Sequence, residues 1–426
     1  MRRFMIVGLS VLSLSAAAAL DSDSSRALPV LSGDASAIAA LRAEGQGGLD
    51  WLLALRARRP GLTSAANWSA AIDAVAGQKD ATYSELFWHT DLDTARLEAI
   101  TSGKPILSLR LLGDLTEEYS CANSRFFRAA LYSNPELSAL MREQYVLHWS
   151  SERAAPKMTI DLGDGRTLVR TITGNSAHYV LDSEGRPLDV IPGLYGPGAF
   201  QAQLEADLAL FSEVAPLRDR SRTLTLQRWH AAQQASAEIE LRGAFGLDDA
   251  ELSAWLRPSA PDLLSAPPIS VAAMGLTMGK GIVEMPVLEQ IVPPSAPPSG
   301  RSPEGADWGA AGQRLYAEDV VLHSNSVALI AAEQPLEALG LGDDDSALAA
   351  LTAGFERAMV ADTARNELLL HTRVHGWFAS GSVDSLADLN QRVYDELFET
   401  PADDPWMGLL LPDAYTGLSL GGAHGG

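Results

Sequence analysis

Residues 103–124, GKPILSLRLLGDLTEEYSCANS, form the stretch on which the fold prediction depends. Its apolar run at 105–112 follows a Gly-Lys turn and predicts a buried strand. A loop then leads to Cys121, and helices are expected to begin near Ser124 and near Pro135. The only cysteine of the chain is therefore expected between a strand and a helix.

The neighbouring segments continue the alternation of helix and strand. A helix is predicted at 92–101 and a strand at 145–149. An Asp-Gly turn between β-rich runs favours a hairpin. The remaining predicted elements are a hairpin of 158–162 and 167–172, a strand pair of 178–182 and 187–191, and a helix at 200–211. This order indicates an α/β fold.

Residues 1–19 have the three-part layout of a secretory signal. Arg2 and Arg3 give a positive start, an apolar run begins at Ile6, and Ala17 and Ala19 are small residues suited to cleavage. No later stretch approaches the roughly 20 apolar residues that a spanning helix needs. We therefore expect export to the periplasm or secretion, and no integral membrane segment in the mature protein.

Charge and cysteine content narrow the function classes. The chain has 426 residues and a formal net charge of −22, which becomes −24 when Arg2 and Arg3 leave with the signal. Nucleic acid is not an expected partner, because such binding depends on neutralising phosphates with Lys and Arg. One cysteine forms no internal disulfide, and a lone thiol in an oxidising compartment requires an explanation. Burial as a small hydrophobe is one explanation, and chemical use is the other.

Several short strings between residues 85 and 211 carry a family resemblance. They are Phe87-Trp88, Gly103-Lys104-Pro105-Ile106-Leu107, Cys121-Ala122-Asn123-Ser124, and Val180-Leu181-Asp182 with Gly185. Together with the order of elements, they resemble the thioredoxin-like superfamily, above all its exported members. The string VYDELFETPADDPW at 393–406 looks like a companion region of such domains and implies no activity.

The resemblance implies a thioredoxin-like domain at 85–212, with a central mixed sheet flanked by helices. A helical lead-in at 20–84 is expected before it, and a helical connector at 213–257 after it. A Pro-rich linking or docking segment at 258–305 precedes a mostly α-helical C-terminal domain at 306–426. Within that last domain, helices are predicted at 313–332, 346–378 and 385–398.

The resemblance also assigns roles around the cysteine. In the family, the first Cys of a Cys-x-x-Cys motif lies at a helix start, where backbone N–H groups and the helix dipole favour the thiolate. Cys121 matches this position, and Ser124 replaces the second cysteine. Because a serine cannot complete a dithiol cycle, the implied chemistry is monothiol, on protein thiols and disulfides or on peroxide. Ser124 would hydrogen-bond the thiolate or cap the helix.

A second departure from the family lies just before the strand that faces the active site. The family has a cis-proline there, whereas this chain has Ser176 after Asn175, and a non-proline residue is expected to be trans. We expect Asn175 and Ser176 to form a polar pocket that faces Cys121. Arg125 and Arg128 follow the motif, either as thiolate-stabilising cations or as ordinary solvated helix charges.

A separate pattern occurs at Glu367, His371 and His375, which share one helical face at four-residue spacing. Two imidazoles at i and i+4 with a carboxylate can bind zinc or iron. Thr372 follows His371, so the general-base Glu of a His-Glu-x-x-His protease is missing. The competing interpretation is a helix surface with an ordinary Glu–His contact.

Three functions remain open at the level of sequence. The leading hypothesis is an exported monothiol oxidoreductase with Cys121 as nucleophile, a protein thiol, disulfide or reductant as partner, and no cofactor. The second is a noncatalytic envelope scaffold or binding protein, and the third is a metal-binding protein. An exposed sulfur at a helix start, with Ser176 within reach, would favour redox chemistry, whereas a fully buried sulfur would defeat that hypothesis.

Overall fold

The computed structural model describes residues 22–172, 175–257, 302–337, 340, 342, 344–383 and 385–398. The predicted signal at 1–19, most of the Pro-rich segment and the end of the 393–406 string lie outside these residues. The chain divides into two units, Met1–Trp88 and His89–Gly426.

The first unit is helical. Its helices are α1 at 22–31, α2 at Ala35–Arg42, α3 at Gln46–Arg58, α4 at Ala65–Ala76 and α5 at Ala81–Ser84. The side chains of Asp34 and Ser64 accept hydrogen bonds from backbone N–H groups in the first turns of α2 and α4, which fixes where these helices begin. Trp68 and Ile72 are almost completely buried in the apolar core of this unit.

The second unit contains a four-stranded mixed sheet with strand order β2-β1-β5-β6. Its strands are β1 at Ile106–Leu112, β2 at Val146–Arg153, β5 at Ala177–Leu181 and β6 at Pro187–Pro192. β1 pairs with β2 in parallel and with β5 antiparallel, and β6 is antiparallel to β5. β5 and β6 are buried along their whole length. The predicted α/β fold is confirmed at this level.

Between β2 and β5 the chain forms the predicted hairpin as a separate two-stranded sheet. Its strands are β3 at Lys157–Asp161 and β4 at Thr167–Thr171. Gly163 and Gly165 both have positive φ angles in the turn, a conformation that glycine adopts without strain.

Helices flank the sheet. α6 at Leu92–Ser102 precedes β1, and α7 at Ala122–Phe126 runs into a π-helical turn at Phe127–Tyr132. α8 at Pro135–Gln144 then leads to β2. After β6 come α9 at Pro197–Val214, α10 at Asp219–Phe245 and α11 at Asp249–Leu256.

The C-terminal part of this unit is helical. Its elements are α12 at Trp308–Leu315, α13 at Ser324–Glu333, α14 at Asp344–Arg365, a π-helical turn at Asn366–His371, α15 at Thr372–Ala379, α16 at Leu386–Arg392 and a π-helical turn at Val393–Leu397. Within the described ranges, no helix combines the length and the apolar character needed to cross a membrane.

The single helix predicted at 313–332 is wrong, because residues 316–323 separate α12 from α13. Tertiary contacts stabilise this interruption between the two helices. The carbonyl of Asp319 accepts a hydrogen bond of 2.9 Å from the N–H of Gly198, at the start of α9. A side chain on Gly196 would collide with the same carbonyl, so only glycine permits this approach.

Candidate functional site

Cys121 lies at the junction between β1 and α7. It is the N-cap residue of α7, and its own N–H donates to the carbonyl of Leu112, the last residue of β1, at 2.9 Å. The start of this helix is thus fixed to the end of the sheet, close to the position predicted from the sequence. The side chain of Cys121 is completely buried, so the exposed sulfur that the redox hypothesis required is not observed.

Of the residues predicted around the thiol, Ser124 and Ser176 contact it, whereas Asn175 contacts Asn123. The sulfur lies 2.8 Å from Oγ of Ser176 and 3.5 Å from Oγ of Ser124. The Ser124 hydroxyl also donates to the carbonyl of Cys121 at 2.8 Å, as a local cap. Asn175 accepts a 3.4 Å hydrogen bond from Asn123, and all these side chains are buried. We call these five residues the thiol pocket.

The thiol pocket contains no charged group. Arg125 instead donates to the hydroxyl of Thr171, and Arg128 donates to backbone carbonyls, including that of Glu117. His178 shares a 2.7 Å hydrogen bond with Tyr132, and burial lowers the pKa of His178 to about 3, so this imidazole is neutral. In the described part of the chain, the hydrogen-bond partners of the sulfur are the two serine hydroxyls.

A C-terminal element contacts the pocket. The hydroxyl of Tyr394 donates to the carbonyl of Asn175 at 3.2 Å, and both residues are buried. On the preceding helix, Asn390 donates to Glu152 of β2 at 2.8 Å. We call residues 385–398 the cover segment.

The second predicted site occupies a different part of the unit. His371 ends the π-helical turn Asn366–His371, His375 lies on α15, and both are buried. Nε2 of His371 lies 2.9 Å from a carboxylate oxygen of Asp189, in the middle of β6. Nδ1 of His371 faces Glu367 at 3.3 Å, and Glu367 also accepts from Gln203. One carboxylate oxygen of Asp189 and one nitrogen each of His371 and His375 all lie within 4.8 Å of one another. The carboxylate in this group is therefore that of Asp189.

Two further titratable residues extend this group. Nδ1 of His230, on α10, lies 2.9 Å from Nδ1 of His375, and Nε2 of His230 lies 2.8 Å from the carbonyl of Leu188. Asp207, on α9, is completely buried, and neither of its carboxyl oxygens meets a hydrogen-bond donor among the described residues. We call Asp189, Asp207, His230, His371 and His375 the histidine cluster.

Electrostatics separate these groups into charged and neutral members. Burial alone would lower the pKa of His371, but the carboxylates of Asp189 and Glu367 outweigh it and hold that pKa well above its ordinary value. Burial lowers the pKa of His230 to about 4, and burial and the charge of His371 lower that of His375. Burial and the neighbouring Asp189 raise the pKa of Asp207 well above its usual range, so Asp207 keeps its proton.

A close backbone approach brings the histidines to the sheet. Gly193, one residue after β6, has a φ of +77°, and a Cβ there would lie 2.6 Å from the side chain of Asn366. Asn366 donates to the carbonyl of Leu194 at 2.7 Å, which fastens the π-helical turn to the end of β6.

Sequence reasoning missed Asp189, Asp207 and His230. One sequence signal could have identified Asp189: it is a single charged residue within an otherwise apolar strand, and a charged residue is rarely buried without a partner.

No protein-family model matches this chain, and no curated protein is similar to it at a significant level.

Proposed function

We propose that the chain is an exported thioredoxin-like protein whose single thiol is enclosed in the closed form and reacts as a monothiol when the cover segment opens. A mixed sheet flanked by helices supports the thioredoxin-like assignment. So does the position of Cys121 at the start of the helical segment that joins β1 to the parallel strand β2. The signal-like sequence at 1–19 supports export.

The observation that carries this proposal is the polar lining of the thiol. A cysteine used only as a small hydrophobe packs against apolar groups. Here the sulfur contacts two hydroxyls, and the closer one, of Ser176, lies at 2.8 Å. A hydroxyl at this distance is suited to stabilising a thiolate by a hydrogen bond, which the packing of a small hydrophobe does not require.

The chemistry is an exchange between the Cys121 thiolate and a disulfide of a partner protein. The thiolate attacks one partner sulfur, a new S–S bond joins the two proteins, and the other partner sulfur leaves as a thiolate. A second thiol, from the partner or a reductant, then displaces Cys121 and restores its thiolate. Ser176 is placed to donate to the sulfur in its charged state, whereas the O–H of Ser124 donates to the carbonyl of Cys121. Because the sulfur is buried, opening must precede the attack.

The test is the rate at which iodoacetamide alkylates the folded mature protein. Tyr394→Phe removes the hydrogen bond from the cover segment to Asn175, worth about 1 kcal/mol, and is expected to speed alkylation by a factor of about 5. Tyr145→Phe is the matched control. It removes a 2.7 Å hydrogen bond from this buried tyrosine to the carbonyl of Leu204. Tyr145 precedes Val146, which pairs with the first residue of β1, whereas Cys121 follows the other end of that strand.

Equal alkylation rates in the two variants, tracking global unfolding in urea, would contradict a local opening. That outcome would favour the second candidate function, a noncatalytic envelope scaffold or binding protein with a structural Cys121. Complete burial of the sulfur is the observation that favours this alternative.

A further inference from the structure

The histidine cluster takes no part in the thiol chemistry and requires its own explanation. We propose that Asp189, His371 and His375 bind one divalent transition-metal ion, with Zn²⁺ as the best-matched ion. One ligand atom from each residue lies within 4.8 Å of the others, and all three side chains are buried. Two imidazole nitrogens and one carboxylate oxygen form a ligand set that zinc-class ions favour over Ca²⁺ or Mg²⁺.

Hydrogen bonds to outer partners leave one nitrogen of each imidazole as a lone-pair atom for the ion. Nε2 of His230 donates to the carbonyl of Leu188, so Nδ1 of His230 is an acceptor. Nδ1 of His375 must therefore donate to His230, which leaves Nε2 of His375 as its lone-pair atom. Each of these two imidazoles therefore has one nitrogen that donates a hydrogen bond to a protein group: His230 to Leu188 and His375 to His230.

The same logic applies to His371. Its Nδ1 faces Glu367 and its Nε2 faces Asp189. When the ring proton is on Nδ1, Nε2 presents a lone pair to the Asp189 carboxylate unless a second proton or a cation lies between the two atoms. Metal-ligating histidines are typically oriented in this way, with the second ring nitrogen bonded to a carboxylate, a carbonyl or another polar group. Glu367 is accordingly an outer partner that positions a ligand.

The experiment is zinc loading of the full mature chain, refolded from urea with Zn²⁺ and passed over a chelating resin, because the ligands are buried. One zinc per chain by elemental analysis is the expected result. His375→Gln is expected to weaken zinc affinity about 100-fold, and Glu367→Gln about 10-fold. His148→Gln is the matched control: it replaces another buried histidine, on β2 at the opposite edge of the sheet, and is expected to leave zinc affinity unchanged.

A second measurement does not depend on any variant folding. Co²⁺ refolded into the wild-type chain is expected to give visible absorption bands of a nitrogen- and oxygen-ligated site, displaced by Zn²⁺. A wild-type chain that retains no zinc and shows no cobalt bands would overturn the proposal and leave His371 and Asp189 as a buried ion pair. Equal zinc affinity in the His375→Gln and His148→Gln proteins would also overturn it.

Discussion

The thiol pocket and the histidine cluster bury polar side chains in opposite ways. The pocket is uncharged: hydroxyl, amide and thiol groups bond to one another around Cys121. The cluster holds a charged imidazole against a carboxylate, with His371 and Asp189 both completely buried. Neutral hydrogen bonds of this kind are each worth about 1 kcal/mol, so local opening of the pocket is expected to cost little. A buried charge must keep its counter-charge, so the cluster is expected to stay closed.

Breaking the ion pair is expected to have the largest effect. Asp189→Asn removes the carboxylate that faces His371 and leaves an uncompensated buried imidazolium or forces it to lose its proton. The expected loss is about 3–5 kcal/mol in the free energy of unfolding, measured by urea denaturation in the presence of a chelator. Asp164→Asn, in an exposed turn, serves as the control and is expected to change stability little. A small loss for Asp189→Asn would show that the pair is not charged.

A pH titration sharpens the contrast on the neutral side. Burial lowers the pKa of His178 to about 3, below the value of about 6.5 for an unfolded histidine. The folded state therefore binds fewer protons, and stability present above pH 6.5 is lost as the pH falls toward 3. At pH 4.5 the loss from this residue is about 2–3 kcal/mol, and His178→Phe is expected to abolish that part of the pH dependence.

Tyr132→Phe is the control for this titration. It removes the partner of the same 2.7 Å hydrogen bond but leaves the histidine. The acid loss of stability is expected to persist in Tyr132→Phe. An unchanged pH dependence in His178→Phe would contradict the assignment of a neutral buried imidazole.

Substitutions of Cys121 give the smallest expected effect. Serine keeps a hydroxyl opposite Ser176, so Cys121→Ser is expected to lie within about 1 kcal/mol of the wild type. Cys121→Val leaves the Ser176 hydroxyl without this partner and is expected to cost about 1–3 kcal/mol. Urea denaturation at neutral pH measures both. A valine variant more stable than the serine variant would show that the pocket behaves as apolar.

Local patterns accounted for much of the fold. The predicted strand at 105–112 is observed at Ile106–Leu112, and the helix predicted at 92–101 is observed at Leu92–Ser102. Both depend on apolar periodicity and turn residues within one short segment. The position of Cys121 near a helix start was expected from the helix predicted near Ser124 and from the family resemblance. The break at 316–323 was not, because a contact between Asp319 and the start of α9 determines it.

The sequence by itself determined the elements, the lone cysteine before a helix, and two histidines on one helical face. Tertiary structure alone decided that the sulfur is buried. It also decided that His371 contacts Asp189 and that His375 contacts His230, pairs that lie 182 and 145 positions apart in the chain. Periodicity reports which face of an element is apolar, but it does not report which other element packs there. Burial and partnership arise from that packing, and they determine whether a thiol can react and whether an imidazole carries a proton or is free to bind a metal.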